Sequence, residues 1–381
     1  MQPSVPPRDK KGLRTGFTTG ACAAAAAKAA TRVLVRDTIL TEIETTLPNR
    51  SRVTFALRRC ERLGAHAIAS VIKDAGDDPD CTHGAELVAD VELRVEPGVE
   101  IRGGSGVATA TRAGLGLPVG AAAINPVPRK NITEMVEEEL AHGGAVAHGA
   151  VVTISVPGGE EMAKQTTNAR LGLIGGISIL GTSGIVQPYS TAAWKASVVQ
   201  EIDVAATGGL RELVLTTGGK SEQYAMALHP HLPEQAFIQV GDFIGVGIKS
   251  CARRAIETAT VVGMIGKLSK MSAGKMQTHV AGSEVDLEYL ASLAHEAGGS
   301  SDLVEQVRKA NTARHVLELC RAAGVLGITT LICRKVVEQC TRHAGGALRV
   351  RALMVDFGGA LLGRFPEPAM TDPTETTETS S

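Results

Sequence analysis

Aromatic side chains are scarce: six Phe, three Tyr and one Trp in 381 residues. So few rings exclude the base-stacking platforms that hold single-stranded nucleic acid. Charge of one sign is also missing, with 39 Lys and Arg against 40 Asp and Glu and a net charge of −1. A broad binder of nucleic acid or anionic membrane would carry a basic surplus, so any anion site here must be local. The seven cysteines, at 22, 60, 81, 251, 320, 333 and 340, contain no C-x-x-C pair. That excludes zinc ribbons and thioredoxin-like sites as motifs, and no metal site is expected. An odd, scattered set of thiols fits a reducing cytosol. The longest uncharged stretch, 171–194, is broken by glycines and Pro188, so it reads as a buried segment rather than a membrane span. Basic residues before Ala21–Ala27 mimic an export signal. Alanine is weakly hydrophobic and Lys28 soon follows, so a helix in a soluble cytoplasmic protein is expected instead.

Glycine is plentiful, with 43 residues, and hydrophobic residues make up 44%. The chain is therefore globular and long enough for two domains. Residues 1–12 read as a flexible lead-in and 366–381 as a disordered tail. Strand-like alternation at 41–46, 52–59, 64–73 and 84–95 predicts a mixed or antiparallel sheet in an α+β domain over 13–165. Pro126 and Pro128 open a helix that stops at Gly143-Gly144. From about 190 strand and helix alternate: helix 190–206, strand Leu213–Leu215, strand Ala236–Val240, helix 244–259, strand Thr260–Ile265. This is the pattern of a Rossmann-like parallel α/β domain over 166–348. Helices fill 284–344, and 349–365 supplies a final strand. The domain boundary is expected between 157 and 190.

Several segments invite a chemical reading. In GFTTGACAAAAAKAA, Thr18 and Thr19 stand at a helix start, which could receive an anion or simply be an N-cap. Asp74, Asp77, Asp78, Asp80 and His83 crowd into one turn between strands, and crowded carboxylates can push one another's pKa upward. Asp74, Asp77, Asp78 and His83 are therefore the catalytic candidates. The calcium-loop template does not fit this turn. Gly104-Ser105-Gly106 and Gly245-Val246-Gly247 lack the third glycine of a dinucleotide fingerprint, and Gly218-Gly219-Lys220-Ser221 has Val214 where a P-loop needs glycine. Nevertheless Thr216, Thr217, Gly218 and Gly219 follow a strand and open a helix, where parallel sheets bind ligands. They are the cofactor candidates. The run 172–184 holds five glycines, more than a core strand would use, and could lay backbone against a flat ligand. Lys267, Lys270 and His279 mark a basic, loop-like stretch. His229-Pro230-His231 and the glutamates at 137–139 read as surface.

LRTGFTTGACAAAAAKAA, KDAGDDPDCTHGA, AINPVPR, TTNARLGLIGGISILGTSGIVQP and GKLSKMSAGKMQTH, in this order, resemble the CbiD family over about residues 13–290. The resemblance implies an S-adenosylmethionine-dependent C-methyltransferase of anaerobic cobalamin biosynthesis. Its acceptor would be cobalt-precorrin-5B, methylated at C1 to cobalt-precorrin-6A, with S-adenosylhomocysteine as the second product. Cobalt would arrive on the tetrapyrrole substrate and not on the protein. The acceptor bears many carboxylates, so cations are expected around it in a cleft between the domains. Arg14, Arg129, Lys130, Arg170, Lys267 and Lys270 lie in or beside the motifs; with Thr18, Thr19, Gly175, Gly176 and His279 they form the expected substrate set. Homo-oligomers and transient contacts with neighbouring pathway enzymes are compatible with the resemblance. Partners such as nucleic acid or membrane are not expected. A non-catalytic corrinoid carrier and a nucleotide-dependent phosphotransferase are the alternatives.

Overall fold

The computed structural model describes residues 8–10, 12–142, 149–279 and 284–367. Most of the lead-in, the stop at Gly143-Gly144 and most of the tail lie outside the described residues. The chain forms two units, 1–193 and 194–381, of mixed α/β structure.

The first unit is built on an alanine helix, α1 (Thr19–Arg36). Thr18 caps it by accepting from the Ala21 N–H at 3.2 Å. Ala21–Ala27 are at most 1% exposed, because methyl side chains let a helix sit close to a sheet. That sheet contains β1 (Arg59–Leu63), β2 (His66–Ile72), β3 (Glu86–Arg94), β4 (Gly98–Gly103) and, after helix α2 (Pro126–Leu140), β5 (Gly149–Ser155). The order is β1-β2-β3-β5-β4, antiparallel except for the parallel pair β5 and β4. The alternation in β2 and β3 sends Ala67, Ala69, Val71, Leu87, Ala89 and Val91 into the core. Helix α1 packs on this face and against α2. The strands expected at 52–59 and 64–73 leave most of β1 between them, because Arg59–Leu63 carries too little apolar character to stand out.

The second unit begins with α3 (Thr191–Thr207), whose first residues still fall in the first unit. Then follow β6 (Glu212–Thr216), α4 (Gly219–Leu228), β7 (Phe237–Gln239), α5 (Ile244–Arg253), β8 (Thr258–Gly263) and α6 (Ile265–Ser272). Four helices, α7 (Leu287–Glu296), α8 (Ser301–Arg308), α9 (Ala313–Ala322) and α10 (Gly327–His343), precede β9 (Arg349–Val355) and β10 (Leu361–Phe365). The sheet order is β7-β6-β8-β9-β10, with the first four strands parallel and β10 antiparallel at the edge. Continuous burial along Leu213–Thr216 and Thr258–Gly263 follows from helices on both faces. The strand expected at 349–365 is thus part of this sheet, as two strands. Helix α5 ends at Arg253, earlier than the expected 259, because Ala255 turns left-handed at φ 52 and Thr258 already joins the sheet.

The unit boundary falls at 193, beyond the expected interval. Glycine-rich 172–184 belongs with the first unit, through pairings that sequence periodicity does not show. Gly176 and Ile177 pair with Gly106 and Val107, and Leu173 and Ile174 with Ala110 and Thr109.

Candidate functional site

In the second unit a cavity of about 680 Å³ opens at the carboxyl ends of the parallel strands. The connection after β6 leads to β7 on one side, and the chain then crosses to β8 on the other. A crevice opens at such a switch point. Its walls include Thr217, Gly218 and Gly219 after β6, Asp242 after β7, and Gly266, Lys267 and Lys270 on α6. Thr278 and His279 complete this part of the wall. Thr216 is fully buried in the strand, with its hydroxyl donating to Ile238 O at 3.4 Å. Cβ atoms added at Gly218 or Gly266 would meet nothing within 4 Å, and one at Gly219 only Gln239 at 3.9 Å. The three glycines therefore leave a cradle that side chains would fill.

Asp242 organises the polar wall. Its Oδ1 accepts from Thr278 Oγ1 at 2.8 Å and pairs with Lys267 Nζ at 3.0 Å. Lys267 also donates to Thr217 O at 2.7 Å, and Lys270 to Thr278 O at 3.0 Å. Burial by itself would raise the Asp242 pKa, but hydrogen bonds from Lys267 and Thr278 and the charges of Lys267 and His279 hold it below the ordinary range. The carboxylate is therefore ionised at neutral pH. Lys267 and Lys270 belong to this pocket beside the cofactor candidates. Asp242 escaped the sequence reading, although an acidic residue 24 positions after Gly218 matches the spacing of ribose-binding acids after a glycine turn. The P-loop alternative fails on geometry: Val214 lies inside β6, paired with Phe237 and Thr260.

In the first unit the 74–83 turn is a brace. Arg14 pairs with Asp74 through Nη1, its backbone N–H donates to Asp77 Oδ2 at 2.6 Å, and Asp77 N–H returns to Arg14 O at 2.9 Å. Asp78 Oδ1 accepts from the Tyr189 N–H at 2.9 Å. Asp80 pairs with fully buried Lys73 at 2.6 Å. A Cβ on Gly16 would overlap the Ala75 backbone, and one on Gly76, at φ +69, the Arg14 carbonyl. Two segments thus cross backbone to backbone. The expected upward pKa shift is reversed. Burial favours the neutral acids, but Arg14 and Gly76 N–H at Asp74, and Lys73 and Thr82 at Asp80, outweigh it and lower both pKa values.

That reversal sets an expectation for pH. Groups with depressed folded pKa values contribute stability that is fully present above the unfolded value, about 3.9, and lost as pH falls through the folded one. Urea midpoints should fall with acidification below about pH 4, and Asp80→Asn should flatten that slope. An unchanged slope in the variant would remove Asp80 from this account.

Other expectations are corrected. Thr18 is occupied as a cap, and Thr19 Oγ1 accepts from the Leu180 N–H at 2.9 Å. Both are buried, so the α1 N-terminus is covered by protein. Gly176 meets the Gly106 backbone instead of a flat molecule, whereas Gly175 is exposed. Arg170 is half-buried, its carbonyl accepting from Arg112 Nη1 at 3.1 Å. Lys130 is exposed and pairs with Glu134 at 3.8 Å. Of the glutamates at 137–139, Glu139 is completely buried against Arg32, and His229 is half-buried. The seven cysteines are free. Burial pushes Cys22, Cys251, Cys333 and Cys340 up to about 12, so these thiols are poor nucleophiles.

A second cavity, of about 830 Å³, lies within the first unit beside β4 and the start of α2. Arg102 and Arg129 are its charged wall residues, and most of the rest are glycines and aliphatic side chains. Among the described residues no trio of His, Cys, Asp and Glu is placed to hold a metal ion, and no helix is long and apolar enough to cross a membrane.

These features define a two-unit α/β protein with a cavity in each unit, one of them at the strand ends of a parallel sheet. Residues 6–188 match the CbiD family and 277–366 match the CbiD C-terminal domain. A protein named cobalt-precorrin-5B C(1)-methyltransferase from Leptospira interrogans is 58% identical, over 93% of this chain and 96% of its own. Proteins of the same name from Rubrobacter xylanophilus (54%; 93% of both chains) and Geobacillus sp. WCH70 (49%; 93% and 97%) are also similar. A crystal structure of the cobalamin biosynthesis protein CbiD from Archaeoglobus fulgidus is 24% identical over 82% of this chain and 85% of that one, with a TM-score of 0.37, too low to compare the folds. The chain belongs to the CbiD family.

Proposed function

We propose that this protein methylates C1 of cobalt-precorrin-5B with S-adenosylmethionine, giving cobalt-precorrin-6A and S-adenosylhomocysteine. The observation that carries the reading is the name shared by relatives 49–58% identical across 93% of the chain. The methyl donor supplies a sulfonium-activated methyl group, so the protein's main task is alignment of carbon, methyl and sulfur. Cobalt comes with the acceptor, as part of the substrate.

The second unit's pocket fits the donor. We read its sheet as Rossmann-like, with the flavodoxin-type strand order and its switch point at β6 and β8. Gly218, Gly219 and Gly266 leave room for the nucleoside against the backbone. We assign Asp242, a pocket-wall carboxylate held by Lys267, to the ribose hydroxyls. His83 is the member of the 74–83 group that we assign to the reacting ring. Its Nδ1 accepts from the Ala75 N–H at 3.1 Å, which leaves Nε2 as the donor of the neutral ring, and the side chain is 54% exposed. Asp74 Oδ1 lies 3.8 Å from its Nδ1, while Asp77 and Asp78 hold the Arg14 and Tyr189 backbones that frame the turn. A cytoplasmic setting suits the free thiols, and homo-oligomers or hand-over contacts with neighbouring pathway enzymes belong to the same proposal.

The test is transfer of labelled methyl from S-adenosylmethionine to cobalt-precorrin-5B by the purified protein, followed by mass spectrometry of the macrocycle. Label on C1 is the expected result. Acceptor binding without transfer would make the protein a carrier and end the reading.

A further inference from the structure

The larger cavity, in the first unit, has no task assigned so far. Its wall is mostly apolar, with Val107, Leu117, Pro118 and Ile124 among the lining residues, and it contains two guanidinium groups and no carboxylate. The two arginines differ. Arg102 is exposed and pairs at 2.7 Å with Glu100, a carboxylate it shares with Arg94. Arg129, half-buried in the first turn of α2, donates to Ile101 O at 3.2 Å. Among the described residues it makes no ion pair. A cation withdrawn from water without a counter-charge is unfavourable, and folded proteins retain one where an anion completes it. Apolar walls around that cation select an anion carried on a large hydrophobic body.

We infer that this cavity binds the acceptor macrocycle, with Arg129 receiving one of its peripheral carboxylates and the aliphatic wall lying against the ring. The inference rests on the proposed methyltransferase reading and narrows its acceptor site to one cation. Of the six cations expected around the substrate, Arg129 is the one that lines this cavity; Lys270, whose ammonium donates to Thr278 O, lines the second unit's pocket instead. Arg14 is consumed by Asp74 and Asp77, Lys130 pairs with Glu134, and Lys267 pairs with Asp242.

The experiment compares full-length wild type and Arg129→Gln in binding two corrin probes, cobyrinic acid with free carboxylates and its uncharged heptamethyl ester. KM for cobalt-precorrin-5B and for S-adenosylmethionine is measured on the same preparations. Glutamine keeps much of the side-chain volume and a donor for Ile101 O. The variant should lose roughly ten- to a hundredfold in affinity for the acid, the range for a charge-assisted hydrogen bond. It should bind the ester as wild type does, and raise KM for the acceptor while leaving that for S-adenosylmethionine unchanged. Equal losses for acid and ester, or no loss for the acid, would overturn the assignment. Wild type that transfers methyl yet binds both probes equally also overturns it and leaves the function standing. Wild type without methyl transfer removes the reading beneath it.

Discussion

Glu139→Ala is expected to destabilise the protein by about 3–5 kcal/mol, the usual result of removing one partner from a buried ion pair. The Glu139 side chain is 1% exposed and accepts from Arg32 through both oxygens, at 2.9 and 2.5 Å, with Arg36 at 3.3 Å. Lys28, itself buried, lies at 4.0 Å and pairs more closely with Glu138 at 2.8 Å. Truncation would leave these cations of α1 facing an apolar helix contact without their shared carboxylate. Chemical denaturation measures the loss. Glu134→Ala is the comparison, because its pairs with Arg50 and Lys130 are exposed on the cation side and such pairs are worth about 0–1 kcal/mol. If Glu139→Ala costs no more than Glu134→Ala, the network is not holding α1 to α2.

The second large effect is on ligand binding. Gly218→Val should weaken S-adenosylhomocysteine roughly ten- to a hundredfold while the protein stays folded. At φ 163 and ψ 169 the backbone is extended, which valine adopts readily, and the new Cβ meets no protein atom within 4 Å. The folding cost is confined to replacing the glycine that caps α4, at most about 1 kcal/mol. The branched side chain would instead occupy the crevice. Overpacking typically costs about 1–3 kcal/mol, and each 1.4 kcal/mol is about tenfold in affinity. Calorimetry reads the affinity and a thermal melt reads the fold. Unchanged affinity would move the donor site away from the turn after β6.

Much of the second unit was legible because its signals are local. Leu213–Leu215 is a continuous apolar run, Gly218-Gly219 follows it, and a helix comes next; burial on both faces of a parallel strand requires that pattern within a few residues. The same locality made the α1 alanines readable as a helix and Thr18 as a candidate cap. Boundaries were less legible. Arg59–Leu63 is a strand whose apolar content is too low to announce it, and 172–184 hides its pairings because glycine carries no side-chain alternation.

By itself, the sequence determined the alanine helix of the first unit, the strand–turn–helix order of the second with its glycine turn, and the long motifs that mark the family. Only the tertiary structure decided partners. Glu139 looks like one of three surface glutamates until Arg32 and Lys28, more than a hundred residues earlier, meet it. Asp74 and Asp77 look like mutually repelling acids until Arg14 crosses them, which turns an expected rise in pKa into a fall for Asp74. Asp242 and Lys267 acquire a shared pocket only because β7 and β8 flank β6. The physical reason is common to all three. A residue's type fixes the charge and hydrogen bonds it can offer, but the sign and size of its pKa shift, and its freedom to meet a ligand, depend on which distant groups the fold brings within a few ångströms.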